Sequence, residues 1–555
     1  MQNSITELLT RLLREALDKA GLPAPDDIAW EVPREESHGD YATNSALALA
    51  RSAKKAPRQI AETIQTNFPP SPMVGKVEVA GPGFLNVFLA PDWCADALKE
   101  ILADGSAYGT SRAGEGKRML LEFVSANPTG PLVIVNARAA AVGDALARIL
   151  RAQGHEVVSQ FYVNDAGNQF QALARSVDVR VRQALGEAAE LPENSYPGEY
   201  LVELVASWLA ADPEGTRALA ALPEAARIER LGRKAVAEIE TGQRAVLEAY
   251  GTRFESWAHE QADVRTRGLP ERALAELEAA GHTYEQDGAL WFRSTTFGDD
   301  KDRVLRKSDG ELTYFAVDIA FHHYDKFGRA AWVINFLGPD HHGYIQRVRA
   351  AMEALGHPRE RFDALVVQLV TLLRDGQPVR MSKRRGEFVL MEELLEEVGR
   401  DAARFTFLTR RHDSQLDFDL AVATRQSADN PVFYVQYAHA RVTSLFRTAA
   451  EQQVTVPPWD EVDFRPLRLP EEQTIIKRLL QYPSLVAGAA RAREPHRVAY
   501  YLSELAGLYH PYYKSRRVIT EDRELTLARL GLAAAVGQVV RNGLDLLGVA
   551  APESM

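Results

Sequence analysis

Cysteine is almost missing from this chain: Cys94 stands alone among 555 residues. A lone thiol excludes an internal disulfide framework and a thiolate zinc cluster, and it fits a reducing compartment. Long apolar runs are missing too, with no uninterrupted window of about 18 apolar residues, the least that a membrane span needs. The start, Met1-Gln2-Asn3-Ser4, leads into an amphipathic stretch carrying Glu7 rather than a signal-peptide core. No membrane partner is therefore expected, and the cytoplasm is the expected location. A basic excess is also lacking. The net charge of −11 argues against a protein that coats nucleic acid indiscriminately. There is no heptad run, low-complexity tract or repeat of fixed period.

What is present is an ordinary globular composition, 46 % hydrophobic and 25 % charged, in a chain too long for one core. Leu8, Leu9, Leu12, Leu13 and Leu17 make a helical stripe, and two strands follow around a Gly81-Pro82-Gly83 turn, so the first hundred residues read as a small α/β domain. The polar run from Asp104 to Lys117 reads as a linker. From Arg118 to Leu150 come an apolar strand, a Pro/Gly/Asn loop and a long helix, whose N-terminal N–H groups would face an anion above the strand. A strand at Glu156 to Tyr162 follows, then a mostly helical insertion from about 170 to 285. Strands resume at Ala289 to Phe292, with a hairpin signalled by Ser308-Asp309-Gly310, and again at Ala331 to Phe336 and Ala364 to Val370. Strands separated by helices predict a doubly wound parallel sheet with ligands beyond the strands' carboxyl ends. From Asn430 onward the pattern is helical throughout. Pro431 to Met555 carries 15 lysines and arginines against 13 acidic residues, which makes this bundle the more plausible face for a polyanion.

Two loops hold the remaining chemistry. Arg380-Met381-Ser382-Lys383-Arg384-Arg385-Gly386 gathers cations that could clamp phosphates and follow charge developing on a transferred group. Gly338-Pro339-Asp340-His341-His342-Gly343 directly follows a strand. Adjacent histidines at a helix start point in different directions and no third distant ligand accompanies Asp340, His341 and His342, so no metal site is expected there and contacts to ribose or adenine fit better.

The segments EFVSANPTGPL, FYVNDAGNQ, LTYFAVDIAFHHYDKF, GPDHHGYIQRV, RMSKR, LDFDLA and NPVFYVQYAHAR resemble, in the same order, the bacterial arginyl-tRNA synthetases of class I. The resemblance covers essentially the whole chain. It implies an α/β fold: a Rossmann-like doubly wound parallel sheet as catalytic domain at 113–425, an N-terminal domain at 1–105 contacting tRNA, and a helical anticodon-binding bundle at 430–555. It implies arginine, ATP with Mg²⁺, and tRNA(Arg) as substrates and partners, and a monomer. The reaction implied forms arginyl-adenylate and then arginyl-tRNA.

By the same resemblance, Glu122 and Asp318 match the carboxylates around the substrate guanidinium, Asn127 the residue at its α-amino end, and Tyr314 the tyrosine one helical turn before Asp318. A bidentate carboxylate pair is what separates a planar guanidinium from a lysine ammonium. Lys383 matches the second lysine of the Lys-Met-Ser-Lys-type loop, with Arg380 in place of the first and Ser382 and Arg384 beside them as catalytic candidates. ATP contacts fall to Val133, Val135, Asn136, Gly338, Asp340, His341, His342, Met381 and Lys383. The departure is at the His-x-Gly-His signature, where this chain has Val133-Ile134-Val135-Asn136. Both imidazoles and the glycine are missing, and losing one preorganised donor to a transition state costs roughly 3–4 kcal/mol. Asn136 keeps donor ability, and Arg138 and the helix N-terminus remain. Two readings follow: an arginine–tRNA ligase with a degenerate ATP signature, or an impaired relative that binds arginine or tRNA without activating the amino acid. For tRNA, Gln436, Tyr437, His439, Tyr513 and Arg516 combine rings and cations as single-stranded RNA requires. Half of the bundle's tyrosines are expected in its core.

Overall fold

The computed structural model describes residues 5–33, 35–339, 342–379 and 389–555. The expectations for Asp340, His341, Arg380, Met381, Ser382, Lys383 and Arg384 lie outside these residues, as does the side chain of His342.

At the N-terminus the leucine stripe forms the helix Ile5–Lys19, with Leu9, Leu13 and Leu17 buried. It packs with helices Ser45–Ala53 and Pro57–Asn67 on an antiparallel sheet of β1 (Tyr41–Thr43), β3 (Phe84–Leu89) and β2 (Val74–Ala80), in that order. The β2–β3 turn falls at Gly81-Pro82-Gly83. Gly83 has φ +147°, and a Cβ there would lie 2.9 Å from Pro57.

The central sheet consists of β4 (Arg118–Glu122), β5 (Glu156–Val163), β6 (Ser256–His259), β10 (Trp332–Leu337) and β11 (Phe362–Val366), in the order β11-β10-β4-β5-β6. Every neighbouring pair is parallel. From β4 the chain runs outward through β5 and β6, then returns to lay β10 on the other side of β4. The direction of winding therefore reverses between β4 and β10, the crevice where doubly wound sheets bind ligands. Helix Ile134–Ala152 covers β4 closely: a Cβ at Gly143 would come within 2.3 Å of the Phe123 ring.

Two details differ from the sequence expectation. β6 lies inside the stretch expected to be mostly helical, after helices Gly167–Ala184, Glu199–Ala211, Pro213–Ala220 and Glu224–Ala249. Ala289–Phe292 is β8 of a separate antiparallel sheet with β7 (Thr283–Gln286) and β9 (Arg303–Arg306), not a strand of the parallel sheet. The tight β7–β8 turn is Asp287-Gly288, both at positive φ, a dipeptide that favours hairpins. Ser308-Asp309-Gly310 instead closes the shorter bridge from Arg306 to Leu312.

A third small sheet joins β12 (Val370–Arg374) to β13 (Gln377–Pro378) and β14 (Leu416–Asp419). Beyond it helices Pro431–Glu451, Pro470–Leu480, Tyr482–Ala492, His496–Ser515 and Arg523–Leu546 form the bundle. Among the described residues no helix is long and apolar enough to cross a membrane.

Candidate active site

Glu122 is the last residue of β4, in register with Asn335 of β10 and Gln160 of β5. Just beyond it Val124 and Ser125 have φ of 68° and 39°, strained values for side chains other than glycine. The bend they make lets the Ser125 hydroxyl donate to Glu122 Oε1 at 2.9 Å while Ser125 Oγ accepts the Tyr162 N–H at 3.1 Å. The loop continues to Asn127, which is exposed. It is braced from the helical insertion: Gln243 Nε2 donates to the carbonyls of Asn127 (3.2 Å) and Gly130 (2.8 Å), and the Tyr200 hydroxyl donates to that of Thr129.

Asp318 lies on helix Tyr314–Ala320, whose N-cap Thr313 accepts from Ala316 N–H at 3.3 Å. One turn earlier, Tyr314 is 51 % exposed at the mouth of the site, its hydroxyl 3.4 Å from Asn168 N. Burial pushes the Asp318 carboxyl up to about 7 against the hydrogen bond from Tyr344 and the charge of Lys326, with Glu260 and Glu122 adding to the rise. The structure thus brings Glu122 near Asp318, and adds a third carboxylate that the sequence did not reveal. Glu260 follows directly on β6 and is 2 % exposed. It accepts from the Tyr162 hydroxyl at 2.7 Å and from Arg265 Nε at 2.6 Å. Its signal was hidden because β6 is only four residues long and sits behind a long, mostly helical insertion.

A buried cation backs this acidic group. Lys326, 0 % exposed, ends the π-helical turn Phe321–Lys326 that follows Asp318. Its ammonium pairs with Glu122 Oε2 and donates to His322 Nε2 and Asn335 Oδ1, both at 2.9 Å. His322 Nδ1–H donates to the Asp318 carbonyl at 2.7 Å, which leaves Nε2 as the acceptor.

The helix mouth differs from the expectation of a row of free donors. Asn136 Oδ1 accepts the Val133 N–H at 2.9 Å, the Ile134 N–H goes to Val389 O at 3.1 Å and the Asn136 N–H to Val133 O at 2.9 Å. Val133 bridges Leu390 in antiparallel fashion. Arg138 points away from any ligand, fully buried and donating to the carbonyls of Gln368, Leu369, Arg411 and Ser414. It is a structural clamp rather than a phosphate contact. Gly338 is exposed at the carboxyl end of β10, on the same edge of the sheet as Glu122. A cleft of about 1040 Å³ lies at the other end of helix Ile134–Ala152, beside Arg148 and Arg151, and takes no part in this site.

Along its full length the chain is 46 % identical to an arginine–tRNA ligase from Symbiobacterium thermophilum, covering 100 % of this chain and 99 % of that one. The chain belongs to the arginyl-tRNA synthetase family. A second arginine–tRNA ligase, from Syntrophotalea carbinolica, is 47 % identical with 100 % of both chains covered. The solved arginyl-tRNA synthetase of Thermus thermophilus superposes with a TM-score of 0.78 at 26 % identity, over 99 % of this chain and 100 % of that one. Family models match the arginyl-tRNA synthetase N-terminal domain at 7–89, the class I (R) tRNA synthetase catalytic domain at 97–193 and 252–443, and the DALR anticodon binding domain at 435–555. The catalytic model passes over 194–251, where this chain has helices Glu199–Ala211, Pro213–Ala220 and Glu224–Ala249.

In the region matched by the anticodon-binding model, the expected RNA contacts divide. Gln436 and His439 face inward: Gln436 Nε2 donates to Asp401 (3.0 Å) and the Ala550 carbonyl (2.9 Å), and His439 Nδ1 donates to the Pro552 carbonyl at 2.8 Å. Tyr437 and Tyr513 remain part-exposed, with the Arg441 guanidinium 4.4 Å and 5.3 Å from their ring centres. Arg516 bonds Glu471 at 2.6 Å. Tyr509 and Tyr512 are core residues.

Proposed function

We infer that this chain is an arginine–tRNA ligase, a class I enzyme that uses ATP to join arginine to tRNA(Arg). The observation that carries this reading is the acidic pocket at the β4/β10 crevice, in a chain aligned end to end with such ligases. Arginine brings two cations and one carboxylate, a net charge of +1. Once Asp318 has given up its proton, Glu122, Asp318 and Glu260 against Lys326 and Arg265 leave the site one negative charge, the complement of that substrate. Between them the three carboxylates meet the guanidinium and the α-ammonium, with Asn127 at the α-amino end and Tyr314 at the mouth. Paired carboxylates suit a planar donor fork and leave a lysine ammonium poorly matched.

In the first step an oxygen of the arginine carboxylate attacks the α-phosphorus of ATP, and the bond to pyrophosphate breaks. In the second a hydroxyl of the tRNA terminal ribose attacks the carbonyl of the adenylate, and AMP leaves. From the sequence resemblance we assign ATP contacts to Val133, Val135 and Asn136 at the helix mouth and to Gly338, Asp340, His341 and His342. Mg²⁺ carried on the ATP would neutralise phosphate charge. On sequence grounds alone, Arg380, Lys383 and Arg384 take the charge developing on pyrophosphate. We place the protein in the cytoplasm as a monomer, with tRNA along the face of Tyr437, Arg441 and Tyr513.

Arginine-dependent ATP–pyrophosphate exchange in the presence of tRNA(Arg) tests the reading. Exchange above background is expected with arginine and not with lysine. Tight arginine binding without exchange would make the chain a binding protein, and equal exchange with both amino acids would remove the guanidinium site.

A further inference from the structure

A lysine ammonium with no exposure is costly, since a buried charge must be compensated in full. Lys326 meets that requirement with groups from three places: Glu122 on β4, Asn335 on β10 and His322 on its own turn. Its three N–H donors are thereby spent. Burial still pulls its pKa down, with Glu122, Asp318 and Asp325 holding it up. Asp325 is itself paired with Arg329 at 2.8 Å and accepts from Gln160 at 2.7 Å, so the anion that depends on Lys326 is Glu122. Across the pocket from this group stand Asp318, with Tyr344 donating to it, and Glu260, which Arg265 already neutralises.

We propose that Lys326 is a positioning residue for arginine selection: through its pair with Glu122 and its bond to His322, which holds the Asp318 backbone, it locks the two carboxylates into one rigid unit and offsets their mutual repulsion. Lys326 itself touches no substrate, because every direction around its ammonium is taken. The Glu122 oxygen that it does not hold accepts the Ser125 hydroxyl at 2.9 Å. Without the ammonium, Glu122, Asp318 and Glu260 share a largely desolvated space with Arg265 as the cation against them among the described residues, and Asp318 holds its proton more tightly. This role rests on the reading of the pocket as an arginine site.

The test is arginine binding to the full-length chain by calorimetry, as a function of pH, for wild type and Lys326→Met. Removal of a supporting charge from a buried pair is expected to weaken arginine binding about ten- to hundredfold. The acidic limb of the affinity profile, set in the wild type by Asp318, should also move to higher pH, since the ammonium that favours the ionised carboxylate is gone. tRNA affinity should be unchanged, and Lys326→Arg, which keeps the charge, should retain the wild-type limb. Should Lys326→Met fail to fold, Asn335→Ala removes one anchor of the ammonium and should shift affinity in the same direction by less. Unchanged arginine affinity and pH limb in the folded variant, or a lower melting temperature as its sole effect, would overturn the positioning role. A wild-type chain that binds no arginine would overturn the pocket reading itself, and this role with it.

Discussion

Asp318 shows how much a single side chain decides. Its carboxyl lies at about 7, raised from 3.8 chiefly by burial, so near neutrality the empty pocket holds a proton that a bound guanidinium must displace. Arginine affinity should therefore fall roughly tenfold per pH unit below about 7 and level off above it, with proton release on binding measurable by calorimetry in buffers of different ionisation enthalpy. The linkage to folding has the opposite sign. A folded-state pKa above the unfolded value gives stability that is complete below about 4 and lost as pH rises through about 7. The melting-temperature gain from saturating arginine should accordingly be larger at pH 8 than at pH 6. At this scale Glu122, Asn127, Tyr314 and Asp318 could be proposed from the sequence because they stand in continuous motifs. Lys326 and Tyr344 lay unnoticed inside two of the same motifs, because nothing in a linear string says that a lysine eight residues past an aspartate turns back beneath a carboxylate.

At the scale of elements, the helix mouth carries the clearest consequence. Val133 and Val135 offer no side-chain donor, and Asn136 spends its carbonyl on capping its own helix. The segment Val389-Leu390, which follows the basic stretch 380–388 in sequence, occupies the Ile134 N–H. Replacing Val133, Val135 and Asn136 by His, Gly and His should raise ATP–pyrophosphate exchange, each recovered donor contributing roughly a hundredfold or more. Exchange that stays level would place the limiting step elsewhere. The parallel sheet was readable from strands alternating with helices. β6 was not, because Ser256–His259 is too short to alternate visibly and supplies its carboxylate only after the strand ends. Ala289–Phe292 was read with the main sheet for a related reason: spacing along the chain does not distinguish a strand that pairs with its neighbour from one that crosses over.

At the scale of the molecule, Arg404 joins what the sequence could only list as separate regions. Fully buried, it donates to the carbonyls of Leu547 (3.1 Å) and Tyr250 (3.2 Å) and to Thr252 Oγ1 (3.1 Å), and pairs with Asp144. Arg404→Met should cost about 3 kcal/mol or more in denaturant unfolding, because four partners lose their donor at once. The bundle has a separate task. Tyr437→Ala and Arg441→Ala should each weaken tRNA binding about tenfold and reduce its salt dependence in the arginine variant, while arginine affinity stays as in wild type. That the bundle is helical was plain from periodicity. That Gln436 and His439 are taken up by the chain's own C-terminal residues was not, since the partners stand more than a hundred positions away.

The winding of the central sheet also governs how the molecule comes into being. β4 pairs on one side with β5, about forty residues on, and on the other with β10, which begins only at Trp332. A nascent chain extending to residue 300 therefore holds β4 with one row of backbone donors and acceptors open, an edge prone to pairing with other chains. Glu122 meanwhile has no ammonium behind it until residue 326 arrives. Such distant pairing is slow to close, so truncated chains ending before β10 should aggregate, whereas those reaching past β11 can complete the sheet.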